Sequence, residues 1–367
     1  MFTYSLPCLV IWHLPKRNQH QHVALIFLSP LAVSLYNVGT MTHVIDDQLL
    51  GSVANLEVAQ QALLNWFAQH GRDLPWRHTR DSYRVLVSEI MLQQTQVDRV
   101  LPKYRAFLEA FPTLEALAAA PTSEVIRMWA GLGYNRRAVN MQRTARAVLD
   151  QHGGQFPQDV AALQRLPGIG PYTAGAVACF AFAQDVAFMD TNIRRVVQRW
   201  FVGPCEEPPS EAELLQIAAE AIPPGQGWAW NQAIMELGAL ICTAAVPQCW
   251  RCPVQAHCRD YAARRHADEQ IFGMEQAVAA QTIAPRAKRV AERRETPYAN
   301  SNRFYRGRVV DVLRQLPADS RLTLHELGPR IKPDWSNADM LWLETLAAGL
   351  ARDGLIVLED GCARLPG

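Results

Sequence analysis

A surplus of either charge, an apolar run long enough to cross a bilayer, and the alternating pattern of strands are all missing from most of this 367-residue chain. Lysine and arginine total 36 against 35 acidic residues, a formal net charge of +1, which excludes a strongly polycationic protein. Any nucleic-acid surface must therefore come from local clustering of basic residues. Clusters occur at Arg136, Arg137, Arg143 and Arg146, at Arg194, Arg195 and Arg199, and at Arg286, Lys288, Arg289, Arg293 and Arg294. Such a run is more often a solvated face than a phosphate contact. The one long apolar stretch, VALIFLSPLAVSLY at 23–36, is interrupted by Pro30 and falls short of the ~20 residues that a spanning helix needs. It follows Lys16 and Arg17, the flank of a signal peptide. The more economical reading is that residues 1–40 are an extension upstream of the true start, non-native or disordered, because globular pattern begins only after Met41. No membrane partner is expected, and a cytoplasmic location is.

Cysteine is not spread as a disulfide framework would spread it. Of eight, Cys242, Cys249, Cys252 and Cys258 crowd together, while Cys8, Cys179, Cys205 and Cys362 are scattered. This asymmetry reads as a metal site in a reducing compartment. With 49% hydrophobic and 19% charged residues, the chain has the composition of a globular protein of two or three domains.

Helical spacing runs from Asn55 to His70, breaks at GRDLPWR, resumes at Asp81 and continues to about Tyr261 with no convincing strand, so the main body is expected to be all-α. Residues 263–302 are charged, polar and aperiodic, as in a linker. The tail, 303–367, predicts helices at roughly 303–316, 323–331 and 337–352, then the strand LIVLED and a turn at Asp360 and Gly361. Three helices and a hairpin suggest a small α+β winged-helix-like module, with a plain helical dimerisation domain as the alternative. No internal repeat is present.

Chemistry concentrates in four places. VSEIMLQQTQV, 87–97, has the spacing of one amphipathic helix: Val85, Leu86, Ile90, Leu92 and Val97 span an arc of about 160° with Glu89 inside it. A buried carboxyl without a paired cation should have a raised pKa, as a general acid requires. A structural glutamate bonded to a helix end or an arginine would show the same pattern. LPGIG, 166–170, joins two helical segments with Pro171 suited to the first position of the second. Such a turn can offer backbone N–H groups to a phosphate, or be only compact. Asp190, before the basic helix of MDTNIRRV, could be an N-cap alone. Finally, C-x6-C-x2-C-x5-C at Cys242–Cys258 suits a four-iron four-sulfur cluster better than zinc, which usually takes two close couples.

In this order, LPWR, SEIMLQQTQV, GLGY, LPGIGPYTAGAV, MDTNIRRV, NQAIMELGALIC and the four cysteines resemble the helix-hairpin-helix base-excision DNA glycosylases, specifically the MutY-type adenine DNA glycosylases, over about 53–262. The resemblance implies a six-helix barrel domain at 79–185 and an iron–sulfur cluster domain built from 53–78 and 186–262, with the active site between them. It implies a 4Fe-4S cluster on the four cysteines and, as partner, duplex DNA with adenine opposite 8-oxoguanine or guanine, bound by a monomer. The adenine would be flipped out of the duplex. By matched position, Glu89 would protonate N7 of adenine and Asp190 would stabilise the oxocarbenium ion, through charge or a transient covalent bond. Tyr172 and Asn192 would organise the two carboxylates. Trp76, Arg77, Leu92, Gln232 and Met235 would line the adenine pocket, core packing being the alternative, above all for Leu92 and Met235. Gln94 and Tyr134 would enter the base stack, Thr95 and Leu132 would lie near the opposing base, and Gly168 and Gly170 would anchor a phosphate.

Three other readings differ in checkable ways. Endonuclease III, a relative, uses a lysine Schiff base in the helix after the hairpin. Here that position is Tyr172 and the only lysine between Asn55 and Tyr261 is Lys103, so little or no lyase activity is expected. A thymine glycosylase acting on T:G mismatches shares the glutamate and tyrosine, but MLQQTQV is the adenine-type version of its helix. An iron–sulfur redox-sensing DNA-binding regulator would need neither Glu89 nor Asp190. Two departures from the family stand out: the tail lacks the pattern of the usual nudix-like domain that checks for 8-oxoguanine, and the second tyrosine of GLGYY is Asn135.

Overall fold

Polar caps, glycine and proline divide the chain into its helices. The computed structural model describes residues 53–266, 298–318 and 320–367. The expected extension at 1–40 and most of the expected linker at 263–302 lie outside the described residues. Helix α1 (Val53–His70) is followed by a 3-10 turn at Pro75–His78 and by α2 (Ser82–Leu92), which Asp81 caps by accepting from the Arg84 amide at 2.8 Å. Then come α3 (Val97–Ala110), α4 (Leu114–Ala119), α5 (Thr122–Met128), α6 (Arg136–His152), α7 (Val160–Gln164) and α8 (Pro171–Phe182). Pro171 opens α8, where its missing N–H leaves no helical bond unmade. Next, α9 (Thr191–Val197) runs into a single π-helical turn at Gln198–Val202, and α10 (Glu211–Glu220) and α11 (Gly227–Leu240) lead to the cysteine-rich segment.

One apolar core runs from Ala59 to Val254 and has Trp129 and Trp230 fully buried in it. Both expected domains of the body draw on it. Within it α2 packs on α8, α1 on α11, and α9 on α11. α2 and α8 carry the expected acid and its partner, while α9 and α11 bring Asp190 and Gln232 to the same region.

VSEIMLQQTQV is not one helix. α2 stops at Leu92, Gln94 adopts φ +55°, and Val97 begins α3. Apolar spacing carries across the break because Leu92 and Val97 both still pack against the core, from two helices rather than one.

The tail folds as α12 (Asn302–Arg314), β1 (Leu322–Thr323), α13 (Leu324–Ile331), α14 (Met340–Arg352), β2 (Val357–Glu359) and β3 (Cys362–Arg364). Asp360 and Gly361, at φ +50° and +69°, turn the β2–β3 hairpin, as the sequence predicts. The sheet is antiparallel in the order β1-β3-β2, with Ala363 facing Leu322 on one side and Leu358 on the other. Strand β1 was not expected: two residues are too short to show alternation. Val309, Leu327, Leu343 and Leu350 form a second core, which Ile126 and Val139 of the body enter. The Arg127 guanidinium bonds the carbonyls of Arg314 and Leu316, and the Ser123 amide donates to the Pro366 carbonyl at 2.8 Å. The tail is therefore docked on α5 and α6.

Candidate active site

α2 presents Glu89 to the first turn of α8, where the Tyr172 hydroxyl donates to Glu89 Oε2 at 2.9 Å. Glu89 is only 3% exposed. Burial pushes its pKa up to about 7, against the lowering effect of the Tyr172 bond and with a further push from the Asp190 charge. Burial and the same two carboxylates hold the Tyr172 phenol protonated, well above its ordinary range. Tyr172 meets Phe188 edge-on at 5.4 Å, and Phe188 has room because Gly175 lacks a side chain: a Cβ there would lie 2.7 Å from Phe188 Cβ.

Asp190 caps α9, accepting from the Ile193 amide at 2.6 Å and from Asn192 Nδ2 at 3.3 Å. Burial raises its pKa, while these donors and the Arg195 charge oppose the rise. The cap and the candidate catalytic role are thus compatible, because Oδ2 is held only by the longer bond. Asn192 is itself fixed by Arg195, whose guanidinium donates to Asn192 Oδ1 at 2.7 Å, to the Gly238 carbonyl at 2.8 Å and to the Cys242 carbonyl at 2.6 Å.

The expected base-contacting residues divide into two kinds. Arg77 donates to Gln232 Oε1 at 2.9 Å, so these two meet across α11, and Trp76 is buried with its ring edge-on to Tyr104. Leu92 and Met235 are half-buried and pack against the core. Gln94 and Tyr134 are exposed and both hold positive φ, +55° and +46°. Thr95 is half-buried beside them, but Leu132 is buried at 4% exposure. In the hairpin between α7 and α8, Gly168 has φ +78° and a Cβ there would meet Asn140 Cβ at 2.7 Å, so glycine is required on two counts. Gly168 and Gly170 face solvent, while Ile169 is buried and Thr144 Oγ1 holds the Pro167 carbonyl at 2.6 Å.

Cys242, Cys249, Cys252 and Cys258 line one small cavity with Arg199, whose Nη1 lies 3.4 Å from Cys242 Sγ. Burial first, then the neighbouring thiols, pushes the Cys252 pKa up to about 12.

Residues 87–224 match the family described as HhH-GPD superfamily base excision DNA repair protein. The adenine DNA glycosylase of Mycolicibacterium smegmatis is 41% identical over 260 residues, which cover 71% of this chain and 81% of that one. That of Mycobacterium tuberculosis (strain ATCC 25618 / H37Rv) is 37% identical over 319 residues, 84% of this chain and 94% of that one. The chain belongs to the adenine DNA glycosylase family. It spans less than half of the human adenine DNA glycosylase, 43%, at 41% identity over 237 residues and 61% of this chain. Among solved structures, a thermostable thymine-DNA glycosylase is 32% identical with a TM-score of 0.54, covering 57% of this chain and 98% of that one. An endonuclease III trapped covalently on DNA, at 24% identity and TM-score 0.50 over 58% of this chain and 98% of that one, shares the fold.

Within this family member, several residues that hold the site escaped the sequence reading. Glu236 is buried and accepts from Arg72 at 2.8 Å and from Arg77 at 2.8 Å. Burial pushes its pKa up, but the bonds from Arg72 and Arg77 outweigh that and hold it at about 2. A lone glutamate in the apolar stretch NQAIMELGAL, with two arginines in GRDLPWR, was the available signal. Arg137 was counted among basic clusters, yet it turns inward and bonds the carbonyls of Ile90, Gln93, Leu132 and Gly133 at 2.8, 2.5, 3.1 and 3.3 Å. Arg195 and Arg199 are likewise committed to carbonyls. The residues that stand free for DNA are therefore fewer than the clusters suggest.

Proposed function

We propose that this chain hydrolyses the N-glycosidic bond of adenine mispaired with 8-oxoguanine or guanine in duplex DNA, as a monomer acting in the cytoplasm. The observation that carries the reading is Glu89: a buried carboxyl held near neutrality, within electrostatic reach of the half-buried carboxyl of Asp190. The protonated Glu89 gives its proton to N7 of the flipped adenine, and the C1′–N9 bond breaks with its electron pair on the base. Asp190, whose anion the Ile193 amide, Asn192 and Arg195 favour against burial, stabilises the oxocarbenium ion. Water adds to C1′, its proton returns to Glu89, and an abasic site remains. Trp76, Arg77, Leu92, Gln232 and Met235 line the pocket in this reading. Gln94 and Tyr134 enter the stack with Thr95 and Leu132 behind them, and Gly168 and Gly170 take a phosphate.

The cysteines fit a 4Fe-4S cluster. Four thiols around one cavity, in the spacing C-x6-C-x2-C-x5-C rather than two close couples, favour a cluster over tetrahedral zinc. Cys242, Cys249, Cys252 and Cys258 would hold the cluster, whose thiolate–iron bonds would cross-link the segment after α11. The domain boundaries follow: barrel at 79–185, cluster domain at 53–78 and 186–262, and a winged-helix-like module at 303–367, supported by its α12-β1-α13-α14-β2-β3 order.

Strand cleavage through a Schiff base is disfavoured because Tyr172 offers a phenol, not an amine. The test is base release from A:8-oxoguanine, A:G and T:G duplexes by the full chain and by Glu89→Gln. Adenine release that Glu89→Gln abolishes, with duplex binding retained, supports the reading. Thymine release from T:G with adenine untouched would replace it by the activity of the thymine-DNA glycosylase neighbour.

A further inference from the structure

Gln232 and Glu236 stand one turn apart on the same face of α11, and both meet the segment GRDLPWR. Glu236 is buried and, with its pKa at about 2, is an anion at neutral pH. Its Oε1 accepts from the Arg72 amide at 2.9 Å and from Arg72 Nε at 2.8 Å, and its Oε2 accepts from Arg72 Nη2 and Arg77 Nη2, each at 2.8 Å. Arg77 is engaged through every nitrogen. Besides the bond to Glu236, Nη1 donates to the Arg72 carbonyl at 2.7 Å and Nε to Gln232 at 2.9 Å, while the guanidinium lies over the Phe67 ring, 5.2 Å from its centre. The plane of the fork is thereby fixed, and with it the line along which Nε donates.

An arginine can only donate, so the Gln232 atom that faces it must be Oε1, and Nε2 is left over. Gln232 is only 5% exposed, yet its Nε2 meets no acceptor among the described residues. A nearly buried amide donor without a protein partner gains when a ligand supplies the acceptor. Adenine carries three ring nitrogens that accept, N1, N3 and N7. N7 is the atom that Glu89 addresses, which leaves N1 and N3 for Gln232. Turned the other way, the amide would present its oxygen, which a ring nitrogen cannot satisfy.

We propose that Glu236 is a positioning residue for base recognition: through Arg77 it holds the Gln232 amide in one orientation, with Nε2 donating to N1 or N3 of the flipped adenine. The inference rests on the adenine glycosylase reading above. Glu236 itself touches no base. Its charge holds the fork of Arg77, the fork holds Oε1 of Gln232, and a neutral residue in its place releases the amide to turn over.

The test uses the full chain in single-turnover base release from duplexes carrying adenine, 1-deazaadenine or 3-deazaadenine opposite guanine, each analogue lacking one acceptor. The unaltered chain should release one of the two analogues about tenfold more slowly than adenine, the scale of a buried donor left unpaired. In Glu236→Gln that penalty should fall to about twofold, because the amide is free to turn its oxygen to the base. Intrinsic differences between the bases are the same for every variant and drop out of the comparison. A purely structural role slows all three substrates by one factor, so an unchanged penalty in folded Glu236→Gln overturns the inference. Arg77→Lys repeats the test in a chain that keeps the counter-charge of Glu236 but lacks the fork that also reaches Gln232, and the same two outcomes decide. Gln232→Leu supplies the endpoint: a penalty equal to that of the unaltered chain would mean that Gln232 makes no such contact, and would overturn the inference too. Absence of adenine release by the unaltered chain removes the glycosylase reading, whereas release with penalties that no variant changes removes only the role of Glu236.

Discussion

Tyr172 donates its hydroxyl to Glu89 Oε2 at 2.9 Å, across the contact between α8 and α2. The bond stabilises the charged carboxylate, yet burial still prevails and leaves Glu89 near pKa 7. The tyrosine therefore tempers a shift that desolvation drives.

Tyr172→Phe should raise the Glu89 pKa further, because it removes the group that favours the anion. With Glu89 as the acid, single-turnover adenine release should fall with rising pH as Glu89 loses its proton, and the alkaline limb should move to higher pH in the variant. A limb unmoved, or moved to lower pH, would contradict the assignment of Glu89 as the titrating acid.

The same shift makes Glu89 a pH-dependent cost to folding. A carboxyl raised from 4.5 to about 7 contributes stability that is fully present below pH 4.5 and lost as pH rises through 7. Glu89→Gln should accordingly stabilise the fold at pH 8 relative to pH 4.5, by up to about 3 kcal/mol. Urea denaturation at both pH values measures the difference, and a gain independent of pH would count against it.

Glu236→Gln should be strongly destabilising, by about 3–5 kcal/mol, because the Arg77 guanidinium is left buried without its counter-charge. The depressed Glu236 pKa contributes stability present above pH 4.5 and lost as pH falls toward 2, so the gap between wild type and variant should narrow in acid. Thermal unfolding between pH 3 and pH 8 follows it.

Arg137→Ala removes the donor shared by the α2 terminus and the 131–134 loop. We expect a loss of about 3 kcal/mol, from carbonyls left without a charged donor, together with weaker duplex binding, since Arg137 bonds carbonyls beside both Gln94 and Tyr134. Arg137→Lys should recover little of either, one ammonium being unable to span both loops. Full recovery by lysine would show that charge alone matters.

Purified protein should absorb broadly near 400 nm, as iron–sulfur proteins do, and carry about four irons per chain. Cys252→Ser should lose iron and fold poorly. Stoichiometric zinc without iron would settle the cofactor the other way.

What the sequence by itself determined is local and chemical. The apolar arc around Glu89 foretold its burial, Asp81, Asp159 and Ser210 cap the helices that follow them, Pro171 and the hairpin glycines mark the turn, and cysteine spacing marks the cluster segment. Each is written within a few residues, where period and backbone preference act. Tertiary structure decided the rest. Arg72 and Glu236 are 164 positions apart, and Asn135 and Arg314 are 179 apart. Periodicity tells which side of a helix is covered but not by what, so an arginine among other arginines reads as surface even when, like Arg137, it is turned inward to carbonyls. The break after Leu92 was hidden for the same reason: two helices packed on one core can keep the apolar spacing of a single helix. Whether Arg303 lies against Tyr134 depends on how the module docks through Ile126, Val139 and Arg127, and docking is decided by surfaces that form only once both parts have folded.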